Sequence, residues 1–273
     1  QFQSLADDIR NDYQKLPQIT ASWRGTKNWM GVEPILVTQL SSFDSDSKRV
    51  TGERLYLESG LTMPNRWTYG FLTPTVKYRS VSYELNSFEL SADDSPEVGS
   101  LMASLDGGLV FERQTTLGGR LMTQTLEPRA YFLYSEHKDQ TGQPDFDSAE
   151  LTFSYDQLYR DTRFSGNDRI DDANQLSVGV TTRFIDNDTG NETLSASIGQ
   201  IFYFRDREVR LNQFDPDLTE ATSSVAAELT WSPSPAWRFR SSLLYDMEGN
   251  NFDAALAQAS FMPGDRIIAN VGY

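Results

Sequence analysis

Cysteine is absent from the 273-residue chain, which excludes a disulfide or a thiolate-held metal within it. There is a single histidine, His137, so a Ser/His/Asp triad would have to use it. Its neighbours Glu136, Lys138 and Asp139 mark a charged surface stretch instead. Long apolar runs are also missing: nothing approaches the ~18 consecutive apolar residues of a membrane-crossing helix. With 38% hydrophobic residues and a mean hydropathy of −0.51, the chain is too polar for helical spans. Basic residues are scarce, 24 Lys and Arg against 39 Asp and Glu. The resulting net charge of −15 speaks against nucleic acid, whose contact face needs a surplus of cations. From Gln1 onward the N-terminus has neither the basic start nor the apolar core of a secretion signal, so an exported form is expected to be processed or trimmed.

What is present is alternation. Cut at its Gly, Pro, Asn and Asp clusters, the chain leaves about twelve segments whose gaps run short, long, short, long. The short gaps are 24–34, 64–69, 115–120, 186–192, 232–236 and 263–266, all rich in residues that tolerate tight turns. The long ones are 44–53, 84–100, 135–174 and 205–224; the last gap, 247–251, is as short as a turn. A strand ladder crossing a bilayer up and down is trimmed on one side and free to grow on the other.

Within the segments the period is two, which selects strand over helix. Leu176, Val178, Val180, Thr182 and Phe184 make one mainly apolar face, and Ser177, Gly179, Thr181 and Arg183 make the polar one. Val225, Ala227, Leu229 and Trp231 alternate with Ala226, Glu228 and Thr230. Trp237, Phe239, Ser241, Leu243 and Tyr245 alternate with Arg238, Arg240, Ser242 and Leu244. Aromatic residues gather at segment ends: Trp23, Trp67, Tyr69, Phe132, Tyr134, Phe202, Phe204, Trp231 and Trp237. Amphipathic rings favour the membrane interface, so two aromatic girdles are expected, with an aromatic sandwich core as the alternative. The fold class is therefore all-β, an antiparallel transmembrane β-barrel wall.

Other motifs reduce to turns and solvated loops. Asp186, Asp188 and Gly190 resemble the start of a calcium loop, but Ser197 stands where such a loop needs Glu. Gly118 and Gly119 lack the lysine and serine of a phosphate loop. The acidic pairs Asp44/Asp46, Asp93/Asp94, Asp145/Asp147, Asp171/Asp172 and Asp215/Asp217 are read as solvated loop faces, with divalent-cation binding as the alternative. No catalytic, cofactor-binding or metal-ligating residue is assigned.

The 135–174 gap is far longer than an idle connection. Its Phe146, Phe153, Tyr155, Leu158, Tyr159 and Phe164 predict a segment packed on itself or in the barrel mouth. Arg160, Arg163 and Arg169, set among Asp161, Asp168, Asp171 and Asp172, are expected to fasten it. Just before it, Glu127 and Arg129 share a strand face opposite Leu126, Ala130, Phe132 and Tyr134. A charge facing lipid near the midplane costs about 2–4 kcal/mol for Arg, so both are assigned to the lumen. Arg129 is expected to pair with a carboxylate of the inward-folded loop, and Pro128, which lacks a ladder donor, to require a bulge or local weakening.

Thr123 to Arg183 resembles the barrel domain of the LptD family of lipopolysaccharide-assembly proteins. The likeness rests on Leu126-Glu127-Pro128-Arg129, Asp139-Gln140, Phe164-Ser165-Gly166, Asp168-Arg169-Ile170 and Asp172-Ala173-Asn174-Gln175-Leu176, in the family's order. Weaker similarity runs through Leu16-Pro17-Gln18, Val110-Phe111-Glu112-Arg113 and Ser197 to Phe204. The resemblance implies a barrel of about 26 strands, near the upper end of the known range, with a periplasmic jellyroll-like domain, an LptE-like lipoprotein plug and other Lpt bridge components as partners. It further implies lipopolysaccharide as the transported lipid and the outer membrane of a Gram-negative bacterium as the location. Residues 1–273 are then expected to form a partial outer-membrane barrel domain whose 135–174 loop is extracellular and whose turns are periplasmic. Glu127, Arg129, Asp139, Gln140, Arg169, Asp172 and Asn174 are the candidate lumen or plug-contact residues. The alternatives are a complete small barrel, a porin-like or substrate-specific channel, and a soluble all-β carbohydrate-acting enzyme.

Overall fold

The computed structural model describes residues 13–46, 50–86, 94–212, 215–216, 218–264 and 267–273. Asp93, Asp217 and Arg266 lie outside the described residues. One antiparallel sheet dominates. It begins with β1 (Gln14–Arg24), β2 (Glu33–Asp44), β3 (Thr51–Thr62) and β5 (Gly70–Asn86), a short β4 (Asn65–Trp67) pairing with β5 in the turn before it. It continues through β6 (Glu97–Leu109), its extension β7 (Phe111–Leu117) and β8 (Arg120–Ser135). Beyond the long loop follow β11 (Ala173–Asp186), β12 (Glu192–Tyr203), β13 (Val225–Ser234), β14 (Trp237–Asp246), β15 (Asn251–Gly264) and β16 (Ile267–Gly272). The hydrogen-bonded path β1-β2-β3-β5-β6-β8-β11-β12-β13-β14-β15-β16 has twelve strands, the number expected from the alternation. Among the described residues β1 pairs only with β2 and β16 only with β15, so this sheet does not close on itself.

The segment expected as one strand up to Thr115 is divided at Val110 into β6 and β7, and Pro128 explains the division. Gly108 pairs with Arg129 and Phe111 with Leu126, so the register is unchanged across the break and no bulge is inserted. The break faces Pro128, which has no N–H to give. On its other side β8 pairs with β11 without interruption from Ala173↔Ser135 to Asp186↔Met122. Local weakening, one of the two expected outcomes, is what occurs. The turns fall close to where they were expected: Gly118 and Gly119 join β7 to β8 with φ of +60° and +78°, a region only glycine enters freely. At the β11–β12 turn, Asp186 Oδ1 accepts the Asp188 and Thr189 N–H groups at 3.0 Å, so the calcium-like triplet is a turn.

The two faces differ as the period-two reading requires. All nine aromatic residues assigned to girdles are exposed, along with Leu126, Val178, Ile198, Leu229 and Val271. On the opposite face Tyr131, Leu133, Gln175, Ser177, Thr181, Ile201 and Ala226 are buried, because the long loop lies over them. Among the described residues no helix is long and apolar enough to cross a membrane, which says nothing of a β-barrel.

Candidate functional site

The loop between β8 and β11 folds back over the inner face and is tied to strands from β1 to β12. Its neck is closed by Gln140, whose carboxamide takes the Ile170 N–H at 2.9 Å and gives an N–H to the Ile170 carbonyl at 2.8 Å. Within it a two-residue ribbon of β9 (Ala149–Glu150) and β10 (Phe164–Ser165) holds the middle, and a 3-10 turn spans Tyr155–Tyr159. Of the loop's apolar residues, Phe146, Leu158 and Phe164 are buried, and Phe153, Tyr155 and Tyr159 are half-buried. Phe146 and Ile170 join Phe43, Val81, Tyr83 and Val98 in one cluster, with Phe146 stacked on Phe43 at 4.4 Å. Tyr159 packs against a second cluster of Met102, Tyr131, Leu133 and Ala173.

Two sets of ion pairs fasten this cover. Arg54 of β3, fully buried, donates to Asp147 at 2.6 and 3.1 Å and to Asp168 at 2.5 Å, while Lys15 of β1 reaches the same Asp147. Asp168 also takes the Tyr83 hydroxyl at 3.1 Å and the Phe146 and Asp147 N–H groups at 3.0 and 2.8 Å, so every lone-pair direction has a donor. The second set centres on Asp161, held by Arg79 at 2.7 Å and Lys77 at 2.9 Å, with Glu58 at 2.6 Å from Arg79 and 3.0 Å from Lys77. Burial alone would raise the pKa of Asp147 and Asp161. The adjoining cations Arg54 and Lys15, and Arg79 and Lys77, outweigh it and bring both down to about 2.

A third group joins this loop to the one after β12. Asp171 accepts the Arg163 guanidinium at 2.7 Å and its N–H at 2.6 Å, and burial raises its pKa against that pull. Asp172 takes the Glu208 and Val209 N–H groups at 3.1 and 3.0 Å. Arg169 spans both loops, donating to the Pro144, Arg210 and Leu211 carbonyls at 2.7, 2.9 and 3.0 Å.

The seven residues singled out from the sequence thus fall into separate places. Gln140, Arg169 and Asp172 come together as the loop's internal frame, buried in protein. Glu127 and Arg129 lie on the face that the loop covers, with Arg183 bonding Glu127 at 3.1 Å. The expected loop carboxylate for Arg129 is corrected: its partner is Asp106 of β6, at 2.7 and 2.8 Å, and the loop supplies the Tyr159 ring, 3.9 Å from the guanidinium carbon. A carboxylate one strand away is pre-positioned by the ladder, which a loop acid is not. Asp139 is exposed and caps its own turn through the Thr141 N–H at 3.0 Å. Asn174 pairs with Tyr134 in the ladder and therefore shares the outward face, away from the others. Of the three loop arginines, Arg163 and Arg169 fasten as expected, while the exposed Arg160 side chain has no ion pair or hydrogen bond among the described residues.

Sequence reasoning passed over the wall half of the site. Arg54, Glu58, Lys77 and Arg79 are mid-strand charges, and their inward parity was the available signal. It also passed over Gly179 and Gly199, paired in the β11–β12 ladder. A Cβ on Gly179 would sit 2.3 Å from the Tyr159 hydroxyl, and one on Gly199 would sit 2.6 Å from a methyl of Leu158. The two glycines make a flat seat for the 3-10 turn, and their polar-face parity was the clue.

Comparison with known proteins decides which sheet this is. The profile of the family described as LptD, LPS transport system D, matches residues 1–273. The chain belongs to the LptD family. Among curated relatives it is similar to the LPS-assembly protein LptD of Ectopseudomonas mendocina (strain ymp), 36% identical over 96% of this chain and 33% of that protein. That of Pseudomonas aeruginosa (strain LESB58) is 38% identical over 82% of this chain and 27% of its own length. The LptD of Hahella chejuensis is 36% identical over all of this chain and 35% of its own. The chain thus spans about a third of the length of the LptD proteins it matches.

Proposed function

We propose that this LptD-family chain is a wall segment of the outer-membrane translocon that inserts lipopolysaccharide into the outer leaflet of a Gram-negative bacterium. One observation carries the reading. A twelve-strand wall with an apolar, aromatic-edged outer face has its inner face covered by a loop held through buried ion pairs. Such a wall guides and seals; it performs no covalent step. In this reading the short turns are periplasmic, the 135–174 loop is extracellular, and residues 1–273 are part of a larger barrel whose flanking strands cover the edges of β1 and β16. The exposed rim of the loop, Asp156 and Arg160 above all, is the surface offered to an LptE-like lipoprotein plug. The covered inner face supports this over a porin-like channel, which needs an open lumen.

The test is site-specific photocrosslinking in cells from positions 152, 156 and 160 of the full-length protein. Capture of an outer-membrane lipoprotein is expected. Capture of no partner from any of the three positions, together with ion conductance by the purified barrel alone, would sink the reading in favour of a channel.

A further inference from the structure

Away from the loop, where the short turns end the sheet, the inner face encloses a cavity of about 810 Å³ between the β11–β12 turn and strands β13 to β16. Two arginines of β14 line it, Arg238 and Arg240. Register places both inward: Arg240 pairs with Thr230 of β13 and Gln258 of β15, Arg238 with Ser260, and Ser260 with Asn270. Their outward neighbours Trp237 and Phe239 stack at 5.6 Å on the opposite face.

Neither guanidinium has an ion pair or a side-chain hydrogen bond among the described residues, unlike the inward arginines Arg54, Arg79, Arg129 and Arg183. The acids nearby are already occupied or set apart. Asp186 serves its own turn and Arg120, Glu192 holds Arg183 at 2.8 Å, and Glu228, one same-face step along β13 from Thr230, makes no ion pair among the described residues. The ladder partners of the two arginines are neutral hydrogen-bonding groups. Two residues apart on one strand face, Arg238 and Arg240 leave the backbone about 7 Å from each other, a spacing from which two long side chains can reach one tetrahedral anion.

We propose that Arg238 and Arg240 form a phosphate-binding clamp on the inner wall, taking a phosphate group of the transported glycolipid as it enters from the short-turn side. The clamp's ligand rests on the lipopolysaccharide reading; its chemistry rests on the paired, unpartnered guanidiniums. A planar guanidinium binds phosphate oxygens through two parallel N–H donors, and two of them offset the double charge of a monoester.

The test places a photoreactive benzoylphenylalanine at Ser260 in the full-length protein within its native complex, with a control at Thr75 in the cavity beneath the loop. A lipopolysaccharide adduct at Ser260 is expected, falling about tenfold in Arg238→Gln/Arg240→Gln and in the double Glu variant, and falling less in the double Lys variant, which keeps the charge but loses the two-donor fork. Dephosphorylated lipopolysaccharide in reconstituted vesicles should give a correspondingly weak adduct. An adduct unchanged in the Gln variant, or equally strong with dephosphorylated lipid, overturns the clamp. So does an equal adduct from phosphatidylglycerol vesicles, which would assign the pair to phospholipid headgroups. Adducts at Thr75 but none at Ser260 overturn the clamp and leave the translocon reading standing; adducts at neither position overturn both.

Discussion

Replacing Arg54 by Met should free the loop without unfolding the wall. Arg54 is fully buried and gives Asp147 two hydrogen bonds and Asp168 one, with a fourth to Gln39 at 3.1 Å. Methionine fills much of the same volume but leaves Asp168 charged, buried and facing only the Tyr83 hydroxyl and two N–H groups. Removing one partner of a buried ion pair costs about 3–5 kcal/mol, a factor on the order of a hundred to several thousand in the docking equilibrium. That cost falls on the loop, because β3 keeps its ladders with β2 and β5 whatever side chain stands at position 54. Hydrogen exchange or limited proteolysis of the folded, detergent-purified full-length protein reads the effect as lost protection over 144–170, with the heat-modifiable migration of the barrel unchanged. Adding Asp168→Asn should restore part of the protection by removing the stranded charge. Unchanged protection in Arg54→Met would refute the reasoning, and so would loss of the folded barrel in place of the loop.

Acid should release the same loop in a defined window. Asp147 and Asp161 have folded-state values of about 2 against an ordinary 3.8, so their contribution is complete above pH 3.8 and is lost as pH falls toward 2. Loop protection followed from pH 7 downward should stay flat to about pH 4 and then fall; a loss centred between pH 5 and 7 would point to other groups. Arg at Val180, on the outward face, should impair membrane assembly by the ~2–4 kcal/mol of a lipid-facing cation. Arg at neighbouring Thr181 should leave assembly intact and displace Tyr155, whose hydroxyl lies 3.2 Å from the threonine oxygen; heat-modifiability and loop proteolysis separate the two. Gly179→Val should unseat the 3-10 turn while β11 still pairs with β8 and β12, seen as cleavage near Tyr155–Tyr159 with an intact barrel.

How much was legible follows from what each feature depends on. The alternation of Leu176, Val178, Val180 and Phe184 with Ser177, Thr181 and Arg183 fixes strand and faces, because pleat geometry is local and has period two. The turn at Gly118-Gly119 and the missing ladder bond at Pro128 were equally local, set by one residue's own dihedrals and donors. The loop's apolar content likewise announced that it packs. Its fastenings were not readable: Arg54 meets Asp168 across 114 residues, and nothing in either neighbourhood names the other.

Tertiary structure alone decided the partners. Arg129 takes Asp106 because the β6–β8 register sets them on neighbouring strands, and Arg160 has no side-chain partner among the described residues although it sits among the same acids as Arg163. Gly179 and Gly199 become a seat only once β11 and β12 are in register beneath Leu158. The sequence by itself determined an antiparallel wall with one mainly apolar face and one mainly polar face, since a strand's period is a property of its own backbone. Which charges fasten the cover over the polar face, and which have no ion-pair partner among the described residues, depends on distances between strands that only the folded sheet supplies.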